Sequence, residues 1–152
     1  MLTRIFCLLI GLLLPLAGKA QMGKLYTADN QLSNSFVSQV FQDHDGFMWV
    51  ATRNGLDRYD GYRFKIYKRE DGKSGLTSNF INCLFEDKAH TLYIGTNLTV
   101  QKYNGESFDT LRLIGPTGQP VHSYINDIQQ CRNGDLLIGT SGSGLMRVEG
   151  EC

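Results

Sequence analysis

Residues 32–67 contain four short apolar segments separated by turn residues, and the chain then repeats this order. A second copy begins 44 residues later and covers residues 76–111, and a third begins near Tyr124. The sequence reaches Cys152 before the third copy is complete. A fixed period of this size is typical of repeat architectures, in which each copy is one supersecondary unit that packs against its neighbours.

Each complete copy is predicted to form four short strands. In the first copy they cover residues 36–42, 47–52, 56–59 and 63–67. The turns between them are short, and Asp60-Gly61 is a strong signal for a type I′ hairpin. Parallel neighbours would need connections of about a dozen residues, so the strands are expected to form an antiparallel meander.

Corresponding positions of the three copies also share side-chain size. The middle of the second strand is always small and is followed by threonine, as Ala51-Thr52, Gly95-Thr96 and Gly139-Thr140. A small residue inside a strand indicates that another backbone or a bulky side chain approaches closely.

Meanders with apolar residues on both faces are predicted to pack around an axis as blades of a β-propeller. The fold class is therefore all-β. A linear β-solenoid would have shorter rungs, and a β-sandwich would not repeat its turn chemistry at one fixed interval. Because propellers close with about 4–8 blades, just under three blades make an incomplete ring.

The predicted domain boundaries place blade 1 at residues 32–75, blade 2 at 76–120, and blade 3 at 121–152 without its outer strand. Residues 21–31 are predicted to contain a lone strand at 24–27, which would complete the last blade of a closed ring. Blades 1 and 3 would each expose one apolar face, which is a potential association surface. The expected partners are further blades of a longer chain or a second copy of this one.

The first 20 residues have the pattern of a secretory signal peptide. Arg4 precedes an apolar run at residues 5–16, and small residues precede a cleavage site after Ala20. The run is shorter than the roughly 20 residues of a membrane-spanning helix. We therefore expect export of the chain, with no direct membrane contact by this segment.

The charge of the exported part argues against nucleic acid as a partner. Without Arg4 and Lys19, 13 basic and 15 acidic residues remain, for a net charge of −2. No basic stripe of the kind that contacts phosphates is present.

Neither a metal site nor a cofactor is predicted from local motifs. Of the cysteines beyond the leader, Cys83 falls inside a strand and Cys131 in a turn of another copy, so a bridge between them is not expected; the state of Cys152 stays open. The segment from Asp43 to Gly46 begins like a calcium loop, but the bidentate glutamate of such loops does not follow.

No catalytic set is predicted, because His44, His90 and His122 all fall in turns or linkers. Ligand binding is expected instead at the loops that meet near the propeller axis, since polar loops on a rigid scaffold often carry function. The candidate ligand-binding residues are Arg53, Asn54, Asn97, Ser141, Ser143, His122 and Tyr124.

Two motifs of the first copy carry a family resemblance. An Asp-x-Asp-Gly-x-x-Trp-Val-x-Thr core ends at Thr52, and a Gly-Leu-x-x-Tyr-Asp-Gly turn begins at Gly55. Together and in register they resemble the two-component regulator propeller repeat, over about residues 24–150. The later copies are looser, and Leu137 stands where the first copy has tryptophan.

The resemblance implies the N-terminal part of the periplasmic sensor of a Bacteroides-type hybrid two-component system. Such proteins continue with further propeller blades, a transmembrane helix, a histidine kinase and a DNA-binding response regulator, and their ligands are typically oligosaccharides released from glycans. No kinase sequence is present here, so we expect a non-catalytic sensor fragment. The alternatives are a fragment of an exported propeller enzyme, such as a lyase or glycoside hydrolase, and a structural interaction scaffold.

Overall fold

A computed structural model describes residues 21–69 and 75–149. The leader lies outside these residues. The described part contains eleven strands and no helix, and it offers no helix that could span a membrane. The strands are β1 Val37–Gln42, β2 Met48–Thr52, β3 Gly55–Tyr59, β4 Phe64–Tyr67, β5 Ile81–Glu86, β6 Leu92–Thr96, β7 Val100–Tyr103, β8 Phe108–Thr110, β9 Tyr124–Gln130, β10 Leu136–Ser141 and β11 Leu145–Val148.

The strands form three antiparallel meanders, one for each sequence copy. Blade 1 has the order β1-β2-β3-β4, blade 2 has β5-β6-β7-β8, and the described part of blade 3 has β9, β10 and β11. Each strand of blade 1 begins within one residue of its predicted start. The predicted all-β fold, propeller blades in an incomplete ring, is confirmed.

Threonines at one repeated position close the turn between the second and third strands of every blade. Thr52 Oγ1 donates to the carbonyl of Gly55 at 2.8 Å, and Thr96 Oγ1 donates to that of Thr99 at 2.9 Å. Thr140 does the same for Gly144 at 2.7 Å. The threonine repeated in the sequence therefore shapes one rim of the blade array.

The first strand of each blade contains an irregularity at the same place. Pairing with the second strand shifts between Val37 and Gln39, and again between Ile81 and Cys83. Blade 3 shows the equivalent shift opposite Gly139 and Thr140. A β-bulge redirects the extra side chain, and the amide of Asn82 thereby reaches the carbonyl of Ile125 in the next blade at 3.0 Å.

Two apolar cores lie between the blades. The core between blades 1 and 2 includes Trp49, Leu56, Ile81 and Ile94, all at most 1% exposed. The core between blades 2 and 3 consists of Cys83, Tyr93, Val100, Leu113, Ile125, Ile128, Leu136 and Ile138. The fold is thus held together by face-to-face packing of successive sheets, which the repeat predicts.

The small residue of the second strand is needed where the next blade packs. A Cβ added at Gly95 would overlap Cys83 Sγ and would lie 2.9 Å from Ile125 Cγ2 in blade 3. At Gly139 the nearest described atom to such a Cβ belongs to Asp127, at 3.9 Å. The predicted close approach is therefore confirmed at Gly95.

On the two outer faces of the array, side chains are exposed at repeat positions that are buried where two blades meet. Leu56 and Val100 have no exposed surface, whereas Leu145 at the same repeat position in blade 3 is 69% exposed. Likewise Val40 in blade 1 is 55% exposed, whereas its counterpart Leu84 is 4% exposed. Each outer face therefore presents the kind of surface that another blade would cover.

The prediction of a strand at residues 24–27 is wrong for this structure, because these residues adopt no strand. Instead the carbonyl of Thr27 accepts hydrogen bonds from the amides of Asn30, Gln31 and Leu32, which turns the chain into blade 1. A strand needs a neighbour to satisfy its backbone, and among the described residues no strand pairs with residues 24–27.

The two described cysteines are free thiols. Cys83 lies in the core between blades 2 and 3, and burial raises the pKa of its thiol to about 12. Cys131 occupies the turn between the first two strands of blade 3. Cys83 therefore acts as a small apolar core residue, since the thiolate is the reactive form.

Candidate functional site

One rim of the array combines the turns after each second strand with the segments that enter each first strand. Three aromatic rings lie there at a single repeat position: Phe36, Phe80 and Tyr124. Each ring lies just before the first strand of its blade or begins that strand, so the rings follow one another from blade to blade. We call this set the aromatic row.

Two rings of the aromatic row are more than a third exposed, and two of the three contact each other. Phe36 is 49% exposed and Tyr124 is 37% exposed. The centroids of Phe80 and Tyr124 are 5.8 Å apart in an edge-to-face arrangement. Such a geometry is favourable for aromatic pairs and still leaves ring faces available for contact.

Arg53 joins the first two rings of the row. Its guanidinium carbon is 3.6 Å from the centroid of Phe36 and 5.3 Å from that of Phe80. The turn between β2 and β3 thus places a positive charge between two aromatic rings. Cation–π attraction of this kind contributes about 0.5–1 kcal/mol at an exposed position.

Two predicted amide residues flank this cluster. The backbone amide of Asn54 donates to Thr52 Oγ1 at 3.1 Å, which leaves its exposed side chain outside the turn. The backbone amide of Asn97 donates to the carbonyl of Phe80 at 3.2 Å. Among the described residues, Asn97 Oδ1 is the buried side-chain oxygen for which no hydrogen-bond partner is found.

The predicted residues of blade 3 fall into two groups. Ser141 pairs with Tyr124 in the sheet, and its hydroxyl is 3.0 Å from the amide nitrogen of Asn126. Ser143, in the turn after β10, lines a cleft with residues of the 114–121 linker. His122 lies beside this rim in the linker. The structure thus brings Arg53, Asn97, Ser141 and Tyr124 to the aromatic row, whereas Ser143 borders the cleft beside the linker.

Sequence reasoning missed Phe36 and Phe80, which connect the predicted residues to one another. The available signal was an aromatic residue at the same position of all three copies. It is easily read as core, because aromatic residues are common at buried strand positions.

The opposite rim contains a polar cluster that no local motif predicted. His44 in the first turn of blade 1 places Nδ1 at 2.6 Å from Glu86 Oε1 at the end of β5. The ring of His44 stacks on that of His90 with centroids 4.1 Å apart. The hydrogen bond to Glu86 raises the pKa of His44 above its ordinary value.

These residues border a cleft of about 420 Å³ between blades 1 and 2. Asp43 and Asp45 lie on its acidic side, and Arg58 and Lys102 supply positive charge. The guanidinium carbon of Arg58 is 4.4 Å from the centroid of Phe47, so this cation also contacts an aromatic ring.

Successive four-stranded meanders with loops gathered at one rim define this chain as a segment of a β-propeller. A family model described as "Two component regulator propeller" matches residues 31–54 and 75–98. Over these two segments the chain resembles the two-component regulator propeller family, and the predicted resemblance is confirmed.

Relatives and solved structures support the same assignment. Over 53 residues the chain is 45% identical to "Histidine kinase P4" of Formosa agariphila, covering 34% of this chain and 4% of that protein. It also resembles the extracellular domain of BT3049 from B. thetaiotaomicron, described as a hybrid two component system, with a TM-score of 0.73 and 27% identity over 83% of this chain. The extracellular domain of BT4673 from the same organism gives a TM-score of 0.65 and 25% identity over 75% of this chain.

The chain spans only a small part of these relatives. It covers 18% of the BT3049 domain and 16% of the BT4673 domain. Both solved structures are extracellular domains, which agrees with the predicted placement of the blades outside the cytoplasm.

Proposed function

We propose that this chain is part of the periplasmic, non-catalytic sensor region of a two-component signalling protein. The segment contributes successive blades of the propeller and one side of its ligand-binding mouth. The similarity to extracellular domains of two-component systems supports the sensor role. The ligand we propose is an oligosaccharide derived from a complex glycan.

The aromatic row is the observation that carries this proposal. Each blade supplies one ring, and at least two of the rings are more than a third exposed. Sugar rings have apolar C–H faces that pack on aromatic side chains, and sites for such ligands combine apolar contact with a few fixed polar groups. A row of equivalent rings suits a ligand that is itself a chain of similar units.

Polar groups beside the rings would provide the hydrogen bonds. Arg53 is a donor, and Asn54 and Ser141 offer groups that both donate and accept. Sugar hydroxyls match such groups because each hydroxyl donates one hydrogen bond and accepts others. The turn threonines hold these side chains on a rigid rim, which reduces the ordering cost of binding.

The test is calorimetric titration of the protein, expressed from its complete reading frame, with a panel of oligosaccharides from digested polysaccharides. We expect at least one to bind, and we expect Phe36→Ala and Tyr124→Ala to weaken that binding by about tenfold each, or about 1.4 kcal/mol. Tyr62→Ala is the matched control, since Tyr62 is 92% exposed and lies in the Asp60-Gly61 hairpin of blade 1. Equal affinity of all variants, or no binding by any panel member, would contradict the proposal.

A further inference from the structure

Three side chains with metal-binding atoms meet at the rim opposite the aromatic row. They are His44, Glu86 and His90, and one ligand atom from each lies within 4.8 Å of the others. His44 comes from the first turn of blade 1, and the other two come from the end of β5 and the turn that follows it. The group therefore bridges two blades.

Comparison with the next junction shows that the fold does not require these side chains. At the junction of blades 2 and 3 the equivalent residues are Lys88, Gln130 and Gly134. The amide of Lys88 donates to Gln130 Oε1 at 3.1 Å, as the amide of His44 donates to Glu86 Oε2 at 3.0 Å. A neutral glutamine and a glycine are thus sufficient for the same contact between blades.

His90 occupies a turn position that favours glycine. Its φ is 64°, whereas Gly46 and Gly134 at the same repeat position have φ of 86° and 93°. A side chain is disfavoured in this left-handed region, and glycine adopts it readily. The imidazole at this position is therefore held against the local backbone preference, directly beside His44.

The chemistry of the three donors selects a class of ion. Two imidazole nitrogens with one carboxylate oxygen suit Zn²⁺ and its neighbours among the divalent transition metals, whereas Ca²⁺ and Mg²⁺ prefer oxygen donors. Asp45 Oδ1 lies 3.3 Å from His44 Nε2. A carboxylate at the far nitrogen of a histidine commonly orients that ring toward a metal.

We propose that His44, Glu86 and His90 bind a divalent transition-metal ion, with Zn²⁺ the best match, and that the ion links blades 1 and 2. The ion replaces the hydrogen that joins His44 Nδ1 to Glu86. The two rings are exposed, so His90 can turn out of the stack and direct a nitrogen at the ion. With three protein ligands, a further position remains for water.

The test uses Zn²⁺ alone, titrated near neutral pH into chelator-treated protein expressed from its complete reading frame. We expect saturable binding of one ion per chain. His90→Gly and Glu86→Gln should each weaken binding at least about tenfold. Both variants install residues that already occupy the equivalent positions of the next junction, so folding should be retained, which far-ultraviolet circular dichroism checks.

Two controls separate this site from other sources of binding. His122→Ala removes the histidine that is remote from the cluster and should leave the Zn²⁺ affinity unchanged. Ca²⁺ in place of Zn²⁺ should give no comparable binding. The inference is overturned if the unaltered protein does not bind Zn²⁺, or if His90→Gly and Glu86→Gln bind it as tightly as the unaltered protein.

Discussion

The hydroxyl of Ser33 donates a 2.9 Å hydrogen bond to Oδ2 of Asp57, a carboxylate with no exposed surface. The amide of Ser33 donates to the same oxygen at 3.0 Å. This contact fastens the segment entering β1 to strand β3. Blade 2 makes the same connection between neutral groups, since the amide and hydroxyl of Thr77 donate to Gln101 Oε1 at 2.8 and 3.0 Å.

Asp57 gives the stability of the protein a defined dependence on pH. Burial raises its pKa above the ordinary value of 3.8, although the two bonds from Ser33 act in the opposite direction. Because the folded-state pKa is the higher one, the contribution of Asp57 is complete below the unfolded-state pKa and is lost as the pH rises through the folded-state pKa. Asp57→Asn removes this titration.

Urea unfolding of both proteins between about pH 4 and pH 7 checks this expectation. The free energy of unfolding of the unaltered protein, minus that of Asp57→Asn, should decrease as the pH rises. Other titrating groups are common to both proteins and cancel in the difference. A difference that is constant, or that increases with pH, would contradict the pKa shift.

Ser33→Ala tests the hydrogen bonds themselves. The variant removes the hydroxyl that contacts both Asp57 and Thr52, and leaves a buried carboxylate with fewer donors. We expect a loss of about 1–3 kcal/mol in the free energy of unfolding, measured by urea titration. Ser38→Ala is the control in the same blade, because Ser38 is exposed. Similar effects of the two substitutions would contradict the structural role of Ser33.

Gly95→Ala tests the close packing around β6, where Gly95 meets Cys83 of the same blade and Ile125 of blade 3. The added methyl group would overlap Cys83 Sγ, so we expect a destabilisation of about 1–3 kcal/mol. Adding Cys83→Ala to the variant removes the overlapping atom and should recover part of this loss. A double-mutant cycle from chemical unfolding measures the recovery. Additive effects of the two substitutions would show that the two side chains do not meet.

The outer faces predict the behaviour of a polypeptide limited to residues 21–152. Val40 on one face and Leu145 on the other are more than half exposed, and exposed apolar patches promote association. We expect this polypeptide to form oligomers by size-exclusion chromatography with light scattering. Val40→Lys combined with Leu145→Lys should shift it toward the monomer. If the polypeptide without these lysine substitutions is monomeric, the expectation of association is contradicted.

The repeat predicted the blades well because period, turn chemistry and strand length all agree. The features that the repeat did not predict correctly have physical explanations. Residues 24–27 have strand-like composition but pair with no strand of the described chain, although Tyr26 packs against Phe64, so local propensity alone does not produce a strand. Local motifs also missed pairs that form across turns: Trp49 Nε1 donates to Asp43 Oδ2 at 2.6 Å, and Tyr93 donates to Asp87 at 3.1 Å.

The candidate sites also include features that the sequence predicts and features that it does not. The loops near the axis could be predicted, because propeller geometry places turns of one kind on one rim. The aromatic row and the His44–Glu86 pair could not be found by local motif, since their members come from different blades and meet only after the blades pack. Reading the copies in register, rather than reading each turn alone, provides the missing signal.

A crystal structure of the protein with its tightest-binding oligosaccharide tests the sensor proposal most directly. We expect a sugar ring packed on Phe36, Phe80 or Tyr124, with hydroxyls hydrogen-bonded to Arg53 or its polar neighbours. A ligand bound away from this rim, with the aromatic row uncovered, would contradict it.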